Sequence, residues 1–301
     1  MTSNPTVTKA GSAAPLPVTA DAAGVPPDAN EQAGIRPRAP KRGPWFVRAL
    51  RSRLFGWLVF AAALVIWQRY ASAHPSPRYA TVSAVAGAWW SQILGGPLLT
   101  ATLQTLRTMM IGYSVAAVLA VVIGVLMARV RFMYVLLEPP LELLRPMPIS
   151  AVMPLLILYL GIDDEMKITV VAVAAFFHIL LNAYAGSGST HRTMMDTART
   201  FGLSWRQTMT EVVIPAAAPT IFVGLRSALA ASLVISVVVG MIAGNDGLGH
   251  LLMIQQQSFQ VTDLIVGAVT VAMLGYLLNT AFLLIEKRVL HWHFGATRAQ
   301  D

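Results

Sequence analysis

The chain has no cysteine, which excludes a disulfide framework, covalent haem attachment and any thiolate metal site. Charge is scarce as well. Asp, Glu, Lys and Arg make up 12% of the residues against 55% hydrophobic, and the mean hydropathy is positive. An average soluble domain carries about 25% charged residues, so this composition is that of an integral membrane protein. The run G-x-x-x-x-G-K-[ST] is absent. Gly186-Ser187-Gly188-Ser189-Thr190 has the small polar residues of a phosphate loop but not its lysine. No nucleophile with a nearby base can be assembled, so neither a catalytic residue nor a cofactor is expected. His291 and His293 flank Trp292 near the C-terminus and read as a solvated or interfacial tail, not a metal site. His178 reads as a packed polar side chain inside an apolar run.

Residues 1–44 are rich in Ala, Pro, Thr and Gly with hardly an aromatic, and such a segment cannot bury a core. A disordered tail over 1–47 is the expectation. Its distal part turns basic: Arg36, Arg38, Lys41, Arg42, Arg48, Arg51 and Arg53 lead into the first apolar run. A signal peptide also begins basic and then apolar. Here the run starts far from Met1 and no cleavage site precedes Arg69, so an uncleaved first span is expected.

Six spans of bilayer length can be drawn: 54–70, 105–128, 134–160, 168–184, 217–243 and 264–285. With the N-terminus inside, the inside segments hold the basic tail, Arg129/Arg131, Arg192/Arg199/Arg206 and Lys287/Arg288/Arg298. The outside segments hold Arg78, the acidic turn Asp163-Asp164-Glu165 with Lys167 at its edge, and a loop over 244–263 without Lys or Arg. The net charge of +8 is therefore read as an orientation signal that puts both termini in the cytoplasm. It does not signal a nucleic-acid partner.

Between the fourth and fifth spans lies a polar island, 187–210, closing on Val212-Val213-Ile214-Pro215. Thr193-Met194-Met195-Asp196 has capping-box spacing. The helix it starts is expected to end at Gly202, where glycine takes the left-handed conformation. Ser204-Trp205-Arg206-Gln207 is a second capping box, and its short helix is expected to run to the Pro215 region. Phe201, Leu203 and Trp205 would cluster at the turn as a knob for another protein's groove. Two other readings are a hairpin lying on the membrane and a DNA-binding helix-turn-helix. The second helix offers only Arg206 against Glu211, whereas phosphate binding recruits several cations.

The third span is chemically odd. Glu138-Pro139-Pro140 and Arg145-Pro146-Met147-Pro148 precede its apolar run, with Pro154 inside it. Proline breaks helical bonding, and irregular backbone survives at membrane depth only when packed in protein or facing a watery cavity. A juxtamembrane loop followed by a shorter helix is the alternative. In the fifth span Arg226 is expected to snorkel to the interface, and Arg107 has the same ambiguity at the other end. Gly224, Ala228, Ala231, Ser232 and Ser236 recur at helical spacing, suiting either close packing or the wall of a narrow path.

The pattern Asp196-Thr197-Ala198-x3-Gly202-x9-Val212-x-Ile214-Pro215 resembles the "EAA" loop of permease subunits of binding-protein-dependent ABC importers, with Asp for Glu and Thr for the first Ala. The stretch 138–164 is similar to that of nitrate/sulfonate/taurine-type permeases. It has the acidic-proline start Glu138-Pro139, the centre Arg145-Pro146-Met147-Pro148 and the close Leu160-Gly161-Ile162. Pro215-Ala216-Ala217-Ala218-Pro219, Gly224-Leu225-Arg226 and Gly247-Leu248-Gly249 continue the resemblance, which covers about 95–285. One departure stands out. The family often carries an acidic residue late in the fifth span, where this chain reads Val237-Val238-Val239-Gly240-Met241.

The resemblance implies an all-α membrane protein with six transmembrane helices in the type I ABC importer permease fold. Its parts would be a basic tail (1–47), a first helix with external loop (48–97), a five-helix core (98–290) with a coupling loop (187–215), and a C-terminal tail (291–301). Asp196, Ala198, Phe201, Gly202, Leu203, Trp205 and Pro215 are the implied docking residues for an ATP-binding subunit, which the missing P-loop makes necessary. Arg145, Pro146, Pro148, Ser232 and Ser236 are candidates for the pathway or its gate. A periplasmic or lipoprotein solute-binding protein, a second copy in a homodimer and membrane lipid complete the implied partners. Such a permease would move a small solute, an aliphatic sulfonate, taurine or nitrate-like anion, across the inner membrane by ATP-driven alternating access. The rival reading is a non-transporting scaffold or channel whose hairpin docks a different partner.

Overall fold

The computed structural model describes residues 53–291; the expected tail over 1–47 and nearly all of the C-terminal tail lie outside the described residues. Among the described residues every regular element is helical. In chain order these are α1 (Arg53–Ala73), α2 (Val82–Gly95), α3 (Leu98–Arg129), α4 (Arg131–Leu144), α5 (Ile149–Leu160), α6 (Asp164–Gly188) and α7 (Arg192–Thr200). They are followed by α8 (Trp205–Ala243), α9 (Gly247–Gln257) and α10 (Val261–Val289). Of the described residues, 53–60 belong to a unit of their own, in which Trp57 and Phe60 meet edge to face at 6.3 Å between ring centres. The second unit, from Ala61, carries the site.

Four helices, α3, α6, α8 and α10, are long and apolar enough to cross a membrane. Apolar burial drives association in water, but lipid tails are as apolar as leucine, so helices in a bilayer are held by close packing. The core shows what makes that packing close. Ala116 and Ala120 of α3, Ala175 and Ala183 of α6 and Ala217 and Ala228 of α8 are buried, with Met109, Ile179, Leu180 and Leu229 filling between them. Tyr113 of α3 donates its hydroxyl to the Leu225 carbonyl of α8 (3.1 Å), so a polar group sunk in this core is satisfied.

Two expectations need correction. The third expected span, 134–160, is not one helix. The chain forms α4, turns at Arg145–Pro148 and restarts as α5. Pro148 has extended backbone (ψ 121°) ahead of α5, which ends any continuous helix there. With 12 residues, α5 reaches about 18 Å, short of a core of about 30 Å. The helix after Ser204 likewise does not stop near Pro215. It passes through a π turn, Thr208–Val213, and continues into the membrane as α8. In that turn the Ile214 amide bonds to the Met209 carbonyl, and the wider ring lets the helix take Pro215, which has no amide to give.

Candidate functional site

The polar island is a helical hairpin built by local rules. Its first helix starts two residues earlier than the capping pattern suggests. His191 occupies the N-cap without a side-chain cap bond, and Thr193 already lies in the first turn, its carbonyl accepting from the Thr197 hydroxyl at 2.8 Å. The reason lies upstream: the Thr190 hydroxyl binds back to the Ser187 carbonyl (3.0 Å), so the chain leaves α6 tightly and is free to restart at Arg192.

The turn forms as expected. Gly202 has φ +66°, the Leu203 amide donates to the Ala198 carbonyl and the Gly202 amide to that of Arg199, both at 3.0 Å. This is a Schellman closure. Nothing stands within 4 Å of where a Cβ on Gly202 would sit, so torsion alone selects glycine there. Ser204 then caps α8 reciprocally. Its amide donates to Gln207 Oε1 (2.9 Å) and its Oγ accepts from the Gln207 amide (3.4 Å). Such a box stabilises a helix start by about 1 kcal/mol.

The hairpin has two unlike sides. Ala198 is 3% exposed, and Met195 packs with Val125 of α3 and with Met209 and Val213 of the π turn, fixing the hairpin to the bundle. Opposite them Phe201 is 78% and Trp205 56% exposed. Leu203 and Pro215 are half-buried, and Asp196 is in solvent beside Arg199 at 3.3 Å, an exposed pair worth well under about 1 kcal/mol. Of the docking candidates, Asp196, Phe201, Gly202 and Trp205 are exposed, whereas Ala198 faces inward as an anchor. At the root of the hairpin, the Arg129 guanidinium donates to the Ser187 carbonyl, linking the end of α3 to that of α6.

The pathway candidates are not brought together. Arg145, Pro146 and Pro148 lie exposed in the turn between α4 and α5. Ser232 is fully buried in α8, its Oγ without a hydrogen-bond partner. Ser236 lines a small polar cavity with Thr108, Lys167, Gly240 and Asp246, at the end of the bundle away from the hairpin.

That cavity holds what the sequence reading missed. Lys167, read as the edge of an acidic turn, is 6% exposed; it pairs with Asp246 and lies 3.7 Å from Asp164. The same corner ties α9 to α3, since Gln104 accepts from the Gly247 amide (3.1 Å) and Thr105 from the Leu248 amide (2.8 Å). Late in α8, where the family often has a carboxylate, there is none; Asp246, just past the helix, supplies the negative charge that faces Lys167. The sequence signal was the cluster Gln104, Thr105 and Thr108, polar residues in an apolar helix that need partners.

Comparison with known proteins bears on this arrangement. The family model of binding-protein-dependent transport system inner membrane components matches residues 120–291, more than half of the chain and all of the hairpin. The chain is 29% identical over 278 residues to the putative aliphatic sulfonates transport permease protein SsuC of Bacillus subtilis, covering 91% of this chain and 97% of that relative. To the nitrate import permease protein NrtB of Synechocystis it is 27% identical over 275 residues, with 87% and 98% covered. A chain of the inward-facing MetNI methionine ABC transporter has the same fold at a TM-score of 0.59 and 19% identity, over 66% of this chain and 99% of its own. These matches do not favour the scaffold or channel reading. The chain belongs to the family of binding-protein-dependent transport system inner membrane components: it is a permease subunit of an ABC importer, and not itself an enzyme.

Proposed function

We propose that this permease imports a small anion, an aliphatic sulfonate, taurine or nitrate-like solute, and that the hairpin over 187–215 docks the ATP-binding subunit that drives it. One observation carries the docking role: the hairpin is locked from below by Ala198 and Met195 while Phe201 and Trp205 stand open above. An exposed aromatic pair on a rigid base suits a groove in a partner. Closure of two ATP-binding subunits would then move the hairpin as a lever. Its π turn and α8 are one continuous helix, so that motion passes into the bundle without a flexible joint.

The substrate class rests on relatives named for sulfonate and nitrate. In this reading six helices cross the inner membrane, with α1, whose 21 residues reach about 31 Å, and the α4–α5 pair added to the four long spans. Both termini are cytoplasmic, two copies form a homodimer, and a periplasmic or lipoprotein binding protein delivers the solute.

The test is co-purification of the ATP-binding subunit with a tagged permease. Phe201→Asp should leave membrane insertion intact and weaken association by about 3 kcal/mol, a loss of two decades in affinity. Undiminished co-purification would remove the docking role.

A further inference from the structure

Two cationic or protonatable side chains stand exposed on the bundle at membrane depth. His178, expected to be packed, is exposed on α6, and its Nδ1 lies 3.0 Å from the Ala174 carbonyl. Arg226, expected to snorkel, instead reaches sideways: its Nε donates to Asn279 Oδ1 of α10 at 3.0 Å. No carboxylate pairs with Arg226 among the described residues, whereas Lys167 and Arg107 both have acidic partners.

The two side chains share one level. Gly224 of α8 lies against Asn182 of α6, where a Cβ on the glycine would stand 2.5 Å from that of the asparagine. From this contact Arg226 is about 3 Å and His178 about 6 Å further along the helix axes, in the same direction, away from the hairpin. His178 is roughly 15 Å from the end of α6 at Gly188, which is half the thickness of a bilayer core. Ser227 is exposed beside Arg226, and further along the helices stand exposed apolar residues, Val173 and Leu181 on α6 and Val223 and Val234 on α8.

A guanidinium without a carboxylate at mid-bilayer costs several kcal/mol against lipid, and such groups face water-filled cavities or protein. Asn279 holds only Nε, leaving the terminal N–H groups of Arg226 turned outward. A positive group fixed beside a watery path raises the local concentration of anions.

We infer that His178 and Arg226 face the aqueous path of the solute midway through the membrane, and that Arg226, positioned by Asn279, gives that path its preference for anions. This rests on the reading of the permease as an anion importer and adds the residues that would enforce it.

The chain has no cysteine, so single cysteines can be probed in the otherwise native protein. His178→Cys and, as a control at an exposed apolar position, Val118→Cys on α3 would be purified with the ATP-binding subunit, reconstituted in liposomes and treated with two methanethiosulfonates. One reagent carries a sulfonate and the other a trimethylammonium group. His178→Cys should react about tenfold faster than Val118→Cys, and the sulfonate reagent should gain on the cationic one, corrected for intrinsic reactivity, by about tenfold. Adding Arg226→Gln should abolish that gain while leaving reaction at His178→Cys.

Reaction of His178→Cys no faster than the control would overturn the path assignment. Ready reaction with the same reagent preference in Arg226→Gln would overturn the role of the arginine. Uptake of radiolabelled taurine and nitrate by the unmodified complex reports separately on the anion-importer reading.

Discussion

The ammonium group of Lys167 is paired with the carboxylate of Asp246 in a corner where α3, α6 and α9 meet. The lysine is buried and the aspartate half-open, so the pair is one-sided: the charge that depends on it most is the one that cannot reach water. Around it, Gln104 and Thr105 hold the first amides of α9. The polar corner therefore acts as a clasp at the end of the bundle remote from the hairpin.

Removing one partner should cost more than removing both. Asp246→Asn leaves the buried ammonium with Asp164 alone, at 3.7 Å, and should destabilise the protein by about 2 kcal/mol. Lys167→Met together with Asp246→Asn removes the stranded charge and should recover most of that loss. Thermal unfolding of the detergent-purified protein measures both. A double variant as unstable as Asp246→Asn alone would show that the pair is not what holds this corner.

The hairpin turn makes a different kind of demand. Space around Gly202 is open but its φ is positive, so substitutions should rank by torsion and not by size. Gly202→Asn should be tolerated nearly as well as glycine, because asparagine enters the left-handed region readily. Gly202→Val should cost about 2 kcal/mol and open the hairpin to protease. Limited proteolysis of membrane vesicles gives the order; valine as resistant as asparagine would contradict it.

What was legible in the sequence was local. Gly202 and Ser204 define a turn and a cap from residues a few positions apart, and both form as their spacing implies. Thr193 misled because the cap depends on how tightly the chain leaves α6, which Thr190 decides through its bond to Ser187. Pro215 misled because a π turn ahead of it absorbs the missing amide. His178 misled for another reason. A membrane helix is apolar all round, so periodicity does not tell which face is covered. The Lys167–Asp246 pair joins residues far apart in the chain, and no local pattern links them. Of the proposed site, the hairpin could be read in advance, whereas the polar level of His178 and Arg226 needed the packing of α6 on α8.

The capping box offers a smaller test. Ser204→Ala removes the Oγ that accepts from the Gln207 amide and should weaken the start of α8 by about 1 kcal/mol. Because α8 is anchored further along by Met209 and Val213, the loss should stay local. Hydrogen exchange should quicken at Gln207 and Thr208 while amides beyond Val213 keep their protection. Faster exchange spreading into the membrane part of α8 would mean the cap supports the whole helix.

The contact of Gly224 with Asn182 sets how closely α8 approaches α6, and it can be tested by exchanging the small residue across the interface. Gly224→Ala places a methyl group 2.5 Å from the asparagine Cβ, and the next two atoms of Asn182 are within 3.2 Å, so the helices must part. Overpacking of this kind costs about 1–3 kcal/mol. Asn182→Gly alone should cost about 1 kcal/mol, through helix propensity and the lost bond from its amide to the His178 carbonyl. In the double variant the new methyl group occupies the space the asparagine Cβ vacates. Its stability should therefore exceed the sum of the two losses by about 1 kcal/mol or more, a coupling read from thermal unfolding of all four proteins. Strictly additive losses would mean that α6 and α8 yield freely at this level, and the spacing of His178 and Arg226 would then not be fixed by this contact.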